Sequence, residues 1–549
     1  MKTSSPPTWT AASMASLLLS PLSVRASVDN PSLVPGPPMG FNNWARFQCD
    51  LNETLFTDTA EAMVSRGLLK AGYDQLTLDD CWMRQERAAN GALEWDTELF
   101  PQGIPWLADY MKSKGLRLGI YEDSGNLTCG GYPGSYKYEK QDAELFASWG
   151  IDYLKLDGCN VWAEEGRSLR KEYRVRYSEW HDILSALPEP MIFSNSAPAY
   201  FMDNASDWAV VMDWAPDYGE LARHSADVIN YDTTDGAWDS VMSNYDYHTL
   251  LVRYQQPGYY NDPDFLITDH PGLTKAEKES QFVLWASLGA PLIISAYIPD
   301  LSDEEIAFIS NKALIAVDQD PLAQQAALVS RDGTFDVLSR SLENGDRLLA
   351  VLNRGADTAK TTVSIERLGL SSQSECKYQA KDLVTGKDVS IDSGIEIQLE
   401  SHASIAYRIE LPEGCTKTTP TGMIFNTPSG LCLTASTGES VSFEKCSASD
   451  SQVWKVAAKG DNNKLSLSPL SDGSVCLAAG KNGKTSLAKC EDGAGTTWEH
   501  YITGHLRNDD AGGCLTKGSA KAIEACVVDN AGQIFGLPSG VRLADKDLS

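Results

Sequence analysis

From about residue 430 the chain repeats itself three times, and no other feature limits its fold as strongly. Leu431-Cys432-Leu433 is followed by Cys446 and Gln452-x-Trp454, Val475-Cys476-Leu477 by Cys490 and Thr496-x-Trp498, and Gly513-Cys514-Leu515 by Cys526 and Gln533-x-Phe535. A unit of about 40 residues is too short to bury its own apolar face, whereas three together enclose a core, so threefold internal symmetry is expected. Each unit carries its own cysteine pair. This predicts the disulfides Cys432–Cys446, Cys476–Cys490 and Cys514–Cys526.

Those six cysteines are half of an even total of twelve. Even cysteine usage points to an oxidising compartment, and the N-terminus agrees. Lys2 precedes a modest apolar stretch from Ala11 to Leu22, and Val24-Arg25-Ala26 places small residues at the −3 and −1 positions of a cleavage site. Residues 1–26 therefore read as a secretory signal peptide, and the protein as secreted. Asn-x-Ser/Thr sequons begin at Asn52, Asn126 and Asn204 and fit glycosylation. With 75 Asp and Glu against 46 Lys and Arg, the net charge is −29, which repels phosphate backbones and argues against nucleic acid as a partner. No apolar run reaches the ~18 residues of a membrane span. The seven histidines show no HExxH and no Cys/His ligand spacing, so neither a metal nor another cofactor is expected.

Between residues 27 and 320, short apolar runs alternate with helical patterns. Candidate strands are Tyr73–Leu78, Leu116–Tyr121, Ile151–Leu156, Met191–Phe193, Trp208–Val211 and Pro291–Ser295, and amphipathic stretches such as Phe56–Gly67, Trp106–Gly115, Asp142–Gly150 and Tyr173–Leu187 lie between them. Such alternation implies parallel strands with crossover helices, and its length fits a (β/α)8 TIM barrel. An open doubly wound sheet is the alternative, but no GxGxxG turn follows the first strand. Residues 321–415 change to period-2 strands such as Phe335–Ser339 and Arg347–Asn353, as in an antiparallel β-sandwich. Residues 416–422 read as a linker, and 423–549 hold the threefold repeat. Gly480–Thr485 loosely matches a phosphate loop, but the required first glycine is Ala478 and the segment lies inside a repeat, so it reads as a turn. No GxSxG nucleophile elbow occurs.

Polar residues collect at the C-terminal ends of the candidate barrel strands, where such barrels build their sites. They are Leu78-Asp79-Asp80-Cys81-Trp82, Tyr121-Glu122-Asp123, Lys155-Leu156-Asp157-Gly158-Cys159, Arg223–Asp227 and Asn261-Asp262-Pro263-Asp264. One such carboxylate could be a helix cap; four or five in one barrel are hard to assign to capping. The period of two puts Lys155 and Asp157 on one face of their strand, where the ammonium would hold the carboxylate ionised, as a nucleophile requires. Carboxylates with aromatic neighbours and no metal signature suggest glycoside chemistry, in which two carboxyl groups flank the bond to be cut.

Together with Met39-Gly40-Phe41-Asn42-Asn43-Trp44, these segments occur in the order found in glycoside hydrolase family 27, which the chain resembles over residues ~35–410. The repeat resembles a ricin B-type β-trefoil lectin domain, and the whole arrangement is similar to a group of secreted fungal members of the family. The resemblance implies a retaining α-galactosidase acting on terminal non-reducing α-D-galactose of galacto-oligosaccharides, galactomannans and galactolipids. Asp157 would be the nucleophile and Asp227 the general acid/base. Asp79, Asp80, Tyr121, Lys155, Arg223, Tyr200 and Asp264 would bind the sugar, with Trp44 walling the pocket. Asp227 would need a raised pKa beside a charged Asp157, so Arg223 is expected to point at the substrate rather than at Asp227. In a retaining site the two carboxyl groups should lie ~5 Å apart. Cysteine order suggests Cys49–Cys81 and Cys129–Cys159, stapling neighbouring loops, and Cys376–Cys415 in the β domain.

Two departures from these families bear on ligands. After the fifth strand, family members with α-galactosidase activity usually carry a Cys-Glu-Trp-like run; this chain has Ser194-Asn195-Ser196-Ala197-Pro198-Ala199-Tyr200. The small Ser196 and Ala199 are what members accepting a 2-acetamido group carry, so α-N-acetylgalactosaminidase activity is the alternative. Where sugar-binding trefoil repeats have Asp after Cys-Leu, this chain has Thr434, Ala478 and Thr516. The trefoil is thus either a carbohydrate-binding or a purely structural domain. A secreted lectin without catalysis is the alternative from another class, and intact Asp157 and Asp227 argue against it.

Overall fold

In the computed structural model of the chain, the described residues are 31–544 without 437–439, 461–462, 492–494 and 519–520, together with 548. The proposed leader, residues 1–26, lies outside them. The first unit is an eight-stranded parallel sheet: β1 (Met39–Asn42), β2 (Gln75–Leu78), β3 (Arg117–Asp123), β4 (Tyr153–Asp157), β5 (Ile192–Asn195), β6 (Leu221–Arg223), β7 (Tyr260–Asp262) and β8 (Leu292–Ile294). The spatial order β7-β6-β5-β4-β3-β2-β1-β8 is sequential. The ring closes where Leu266, just past β7, bridges to Ile294 of β8.

The two ends of the barrel differ in chemistry. Tyr153, Ile192, Leu221 and Tyr260, the first residues of β4 to β7, pack with Val34 and Ala323 into an apolar plug at the N-terminal end. At the other end the strands finish in buried polar groups, including Asn42, Asp79, Asp123, Asn195, Arg223 and Asp262. Buried polar groups are costly unless paired, so this end has to be organised by internal hydrogen bonds.

One candidate strand is overturned. Residues 208–211 lie in the helix Ala205–Trp214, capped by Asn204, whose side chain accepts from Ser206 N and Asp207 N. Trp208, Val211, Met212 and Ala215 recur at i, i+3, i+4 and i+7, the helical period, and all four are buried. The strand at this position in the barrel is instead the three-residue β6, too short and too polar to stand out in the sequence.

The second unit holds the six-stranded antiparallel sheet β14-β13-β16-β11-β10-β9 and the pair β12-β15. Its strands are β9 (Ala327–Arg331), β10 (Phe335–Ser341), β11 (Arg347–Asn353), β12 (Ala359–Ser364), β13 (Tyr378–Asp382), β14 (Asp388–Ile391), β15 (Gly394–Leu399) and β16 (Ser404–Ile409). It is fastened to the barrel by Arg331 and Arg354, which both pair with Asp246 and Asp336.

The third unit is the trefoil. Its first strand, Thr421–Met423, starts within residues 416–422. Gly422 lets it press on β9, since a side chain there would lie 2.7 Å from Leu328 O. The repeat signatures serve packing. Trp454 Nε1 donates to Leu433 O at 2.8 Å and Trp498 Nε1 to Leu477 O at 2.9 Å, with Phe535 buried as the third member. Gln452 Nε2 donates to Thr434 Oγ1 at 3.0 Å, and Gln533 Nε2 to Thr516 Oγ1 at 2.9 Å. The twelve cysteines form six disulfides: Cys49–Cys81, Cys129–Cys159, Cys376–Cys415, Cys432–Cys446, Cys476–Cys490 and Cys514–Cys526.

Candidate active site

A cavity of about 440 Å3 opens at the C-terminal end of the barrel strands. Trp44, Asp79, Tyr121, Asp157, Ser196, Tyr200, Arg223 and Asp227 line it. Asp80, Lys155 and Asp264 stand behind this lining, each at most 5% exposed. The disulfide Cys129–Cys159 forms part of the wall and ties the loop after β3 to the loop after β4.

The floor is a buried ion pair. Lys155 Nζ lies 2.7 Å from Asp79 Oδ2, which also accepts from Asn42 Nδ2 at 2.7 Å. Asp79 N donates to Asn43 Oδ1 and Asp80 N to Asp79 Oδ1, both at 2.9 Å. Asn42 and Asn43 were not among the expected site residues, although they sit in the segment before Trp44. Their signal is adjacency to a strand end, and their work is to hold Asp79. Asp80 accepts from Cys81 N and Gly130 N, both at 2.7 Å, so it anchors the β3 loop over the pocket. The direct partner of Lys155 is thus Asp79, and Lys155 acts on Asp157 only through its charge.

Asp157 ends β4. The Tyr200 hydroxyl donates to its Oδ1, and Gly158 N lies 3.2 Å from the same oxygen. Behind it, the rings of Tyr173 and Tyr177 stack 6.0 Å apart, and their hydroxyls donate to Gly158 O and Leu156 O. Position 158 requires glycine, because a Cβ would lie 2.8 Å from the Tyr173 ring. Burial pushes the Asp157 pKa up; the Lys155 charge and the Tyr200 hydrogen bond oppose this, and Asp227 and Asp79 reinforce it, leaving it above the ordinary carboxylate value.

Asp227 stands at the mouth with its side chain 56% exposed. Trp44 Nε1 donates to its Oδ2 at 3.0 Å, and Arg223 Nη2 lies 2.9 Å from its Oδ1. The expectation that Arg223 would avoid Asp227 is therefore overturned. Arg223 is the last residue of β6 and Asp227 lies in the loop beyond, so the pair forms across a loop and not along a helical turn. Arg223 is itself buried beside three carboxylates and needs them for compensation; its Nη1 lies 2.9 Å from Asp264 Oδ1. The surrounding protein pushes the Asp227 pKa up, but the charges of Arg223 and Lys155 and the bonds from Arg223 and Trp44 outweigh this and hold it below the usual value. Asp264 is held at a φ of 77°, in the left-handed region, where it accepts from Val228 N at 2.6 Å.

Asp123 is fully buried and accepts from Gly125 N and Cys159 N. Burial, with the Asp157 charge, pushes its pKa up to about 8. A carboxyl group whose folded pKa is raised binds its proton more tightly in the native state, so the stability it confers is lost as pH rises through that value. The buried pair His224 and His248 has depressed pKa values and acts in the opposite sense, but only below the ordinary histidine value of about 6.5. Stability is therefore expected to decline between pH ~6.5 and ~8 by on the order of 2 kcal/mol, a few degrees in Tm. Calorimetric melting across that interval checks this, and a Tm that rises toward pH 8 would contradict it.

Comparison with known proteins finds relatives for each of the three units. Residues 36–320 match a family model described as alpha galactosidase A, residues 332–409 one described as the alpha galactosidase C-terminal beta sandwich domain, and residues 420–535 a ricin-type beta-trefoil lectin domain. The chain is 57% identical over 534 residues to alpha-galactosidase A from Aspergillus niger, covering 96% of both proteins. It is 36% identical over 389 residues to an alpha-galactosidase from Cyamopsis tetragonoloba, covering 70% of this chain and 88% of that one. The crystal structure of alpha-galactosidase I from Mortierella vinacea superposes with a TM-score of 0.63 at 29% identity, over 71% of this chain and 99% of that one.

Proposed function

The chain belongs to the α-galactosidase A family, and on that premise we propose that it is a secreted, retaining exo-glycosidase. That it is an α-galactosidase rests on the identity and coverage just given, which sets aside the lectin without catalysis. The proposed substrates are terminal non-reducing α-D-galactose residues of galacto-oligosaccharides, galactomannans and galactolipids. What supports the mechanism is that Asp157, at the end of β4 beside the Tyr200 hydroxyl, and Asp227, at the mouth, line one cavity. The raised Asp157 pKa and the lowered Asp227 pKa mean that in the free chain the productive arrangement, Asp157 ionised and Asp227 protonated, is the less populated one. Asp157 attacks the anomeric carbon while protonated Asp227 donates to the leaving oxygen, and the covalent galactosyl ester is then hydrolysed by water that Asp227 deprotonates. The Arg223 pair suits this second step, where Asp227 must be ionised. In the first step the negative charge of Asp157 favours the proton on Asp227.

Secretion is supported by the six disulfides and by the exposure of Asn52, Asn126 and Asn204 on the surface. Among the described residues no helix is long and apolar enough to cross a membrane. Thr434 and Thr516 are used by the glutamines of their own repeats, so carbohydrate binding by the trefoil would use other positions.

Ser196 and Ala199 line the cavity, and the Ser196 hydroxyl is buried with no hydrogen-bond partner among the described residues. This favours a secondary acceptance of the 2-acetamido sugar. The nitrophenyl α-galactoside is expected to exceed its 2-acetamido counterpart in kcat/KM by about 10- to 100-fold, the range in which one poorly fitted group discriminates. Ser196→Glu should remove the residual acetamido activity. A preference in favour of the acetamido sugar would reverse the assignment.

A further inference from the structure

Beside the catalytic cavity lies a second one of about 410 Å3. The two share Tyr200 and Asp203, so they adjoin at the residue whose hydroxyl donates to Asp157. The rest of the second wall combines the apolar side of Leu169, 41% exposed, with the polar groups of Arg170, Asn204 and Asp207. Apolar surface with a few convergent polar groups suits a pyranose ring, which presents both C–H faces and hydroxyls.

Arg170 is held from two sides. Its Nε lies 3.1 Å from Asp207 Oδ1 on the barrel, and its Nη2 lies 3.3 Å from Asp529 Oδ2 in the third trefoil repeat. A guanidinium has five N–H donors in a fixed fork, so these two pairings leave others for a ligand. The trefoil therefore reaches the rim of the second cavity. The catalytic cavity is closed at its floor by the Lys155–Asp79 pair, so whatever is attached to a sugar bound there must leave through the mouth, where the second cavity begins.

We propose that the second cavity is a leaving-group subsite that binds the penultimate sugar of an α-galactosyl oligosaccharide, with Asp529 of the trefoil fixing Arg170 toward it. This deepens the α-galactoside reading and rests on it. The competing occupant has the same chemistry: a glycan carried on Asn204, at the cavity's edge.

The test uses the full chain and reads one ratio, kcat/KM for a galactose-terminated trisaccharide over kcat/KM for the nitrophenyl α-galactoside. Arg170→Ala should lower the ratio about tenfold, as expected for lost hydrogen bonds from a charged group. Asp529→Ala should lower it in the same direction, and the double variant should fall no further than Arg170→Ala alone. A ratio unchanged in Arg170→Ala overturns the subsite. So does a ratio that rises when the N-glycans are removed enzymatically, because the cavity would then hold the chain's own glycan. Failure of the wild-type protein to turn over either substrate would instead defeat the α-galactoside reading itself.

Discussion

Replacing Asp157 by Asn is expected to lower kcat by on the order of 10^4-fold or more, the scale seen when a covalent nucleophile is removed. The amide is nearly isosteric. It keeps an oxygen for the Tyr200 hydroxyl and the Gly158 amide that meet Oδ1, and it removes a carboxylate that burial already disfavours. Thermal stability should therefore be retained, and Tm measured beside kcat separates loss of chemistry from loss of fold. A second variant gives a positive signal. In Asp157→Gly the space left by the side chain admits azide, which would attack the anomeric carbon from the nucleophile's face, expel the leaving group and yield the β-galactosyl azide. Retention of activity within tenfold in Asp157→Asn would show that the nucleophile is another group.

The legible part of this site and the hidden part differ in physical origin. Strand ends followed by carboxylates stand out because a barrel concentrates its polar groups there. Asp79 and Asp157 were found in that way, whereas Asp227 follows a strand the sequence hides and was singled out by the family resemblance; all three line one cavity. The partners of these groups were not legible, because they are set by three-dimensional neighbours. Lys155 shares a strand face with Asp157, yet it bonds to Asp79 at the end of β2, across the intervening β3, since an ammonium this deeply buried takes the partner that can approach to 2.7 Å. Arg223 likewise turned toward Asp227 because its own burial demands carboxylates on both sides. Short strands hide for a similar reason. β6 and β7 are three residues each and end in Arg223 and Asp262, so no hydrophobic period can form, whereas the apolar run Trp208–Val211 belongs to a helix that covers the sheet from outside. The trefoil was legible from its repeat alone, because its Trp contact recurs in the first and second units and its Gln contact in the first and third.

The second large effect is expected at Asp227, and its signature differs from that at Asp157. On the proposed mechanism Asp227→Asn removes both the acid of the first step and the base of the second, which together are worth about 10^2- to 10^4-fold. The loss should depend on the leaving group. A sugar alkoxide cannot depart without a proton, so oligosaccharide turnover takes the full loss in the first step. A nitrophenolate departs unaided, so that substrate should form the galactosyl ester quickly and then stall, because no base activates water. Rapid mixing should therefore show a burst of one nitrophenol per active site. Azide, which needs no general base, should speed the stalled step and give the α-galactosyl azide, the anomer opposite to that expected from Asp157→Gly. The pH profile adds an independent check. Arg223 and Lys155 keep the Asp227 pKa low while burial keeps that of Asp157 high, so in the wild-type protein the acidic limb of kcat/KM follows Asp227 and the alkaline limb follows Asp157. Arg223→Gln, which removes the nearest positive charge, should move the acidic limb to higher pH even as binding weakens. An equal loss on both substrates with no burst, together with an acidic limb that does not move in Arg223→Gln, would place the acid/base on another residue of the cavity.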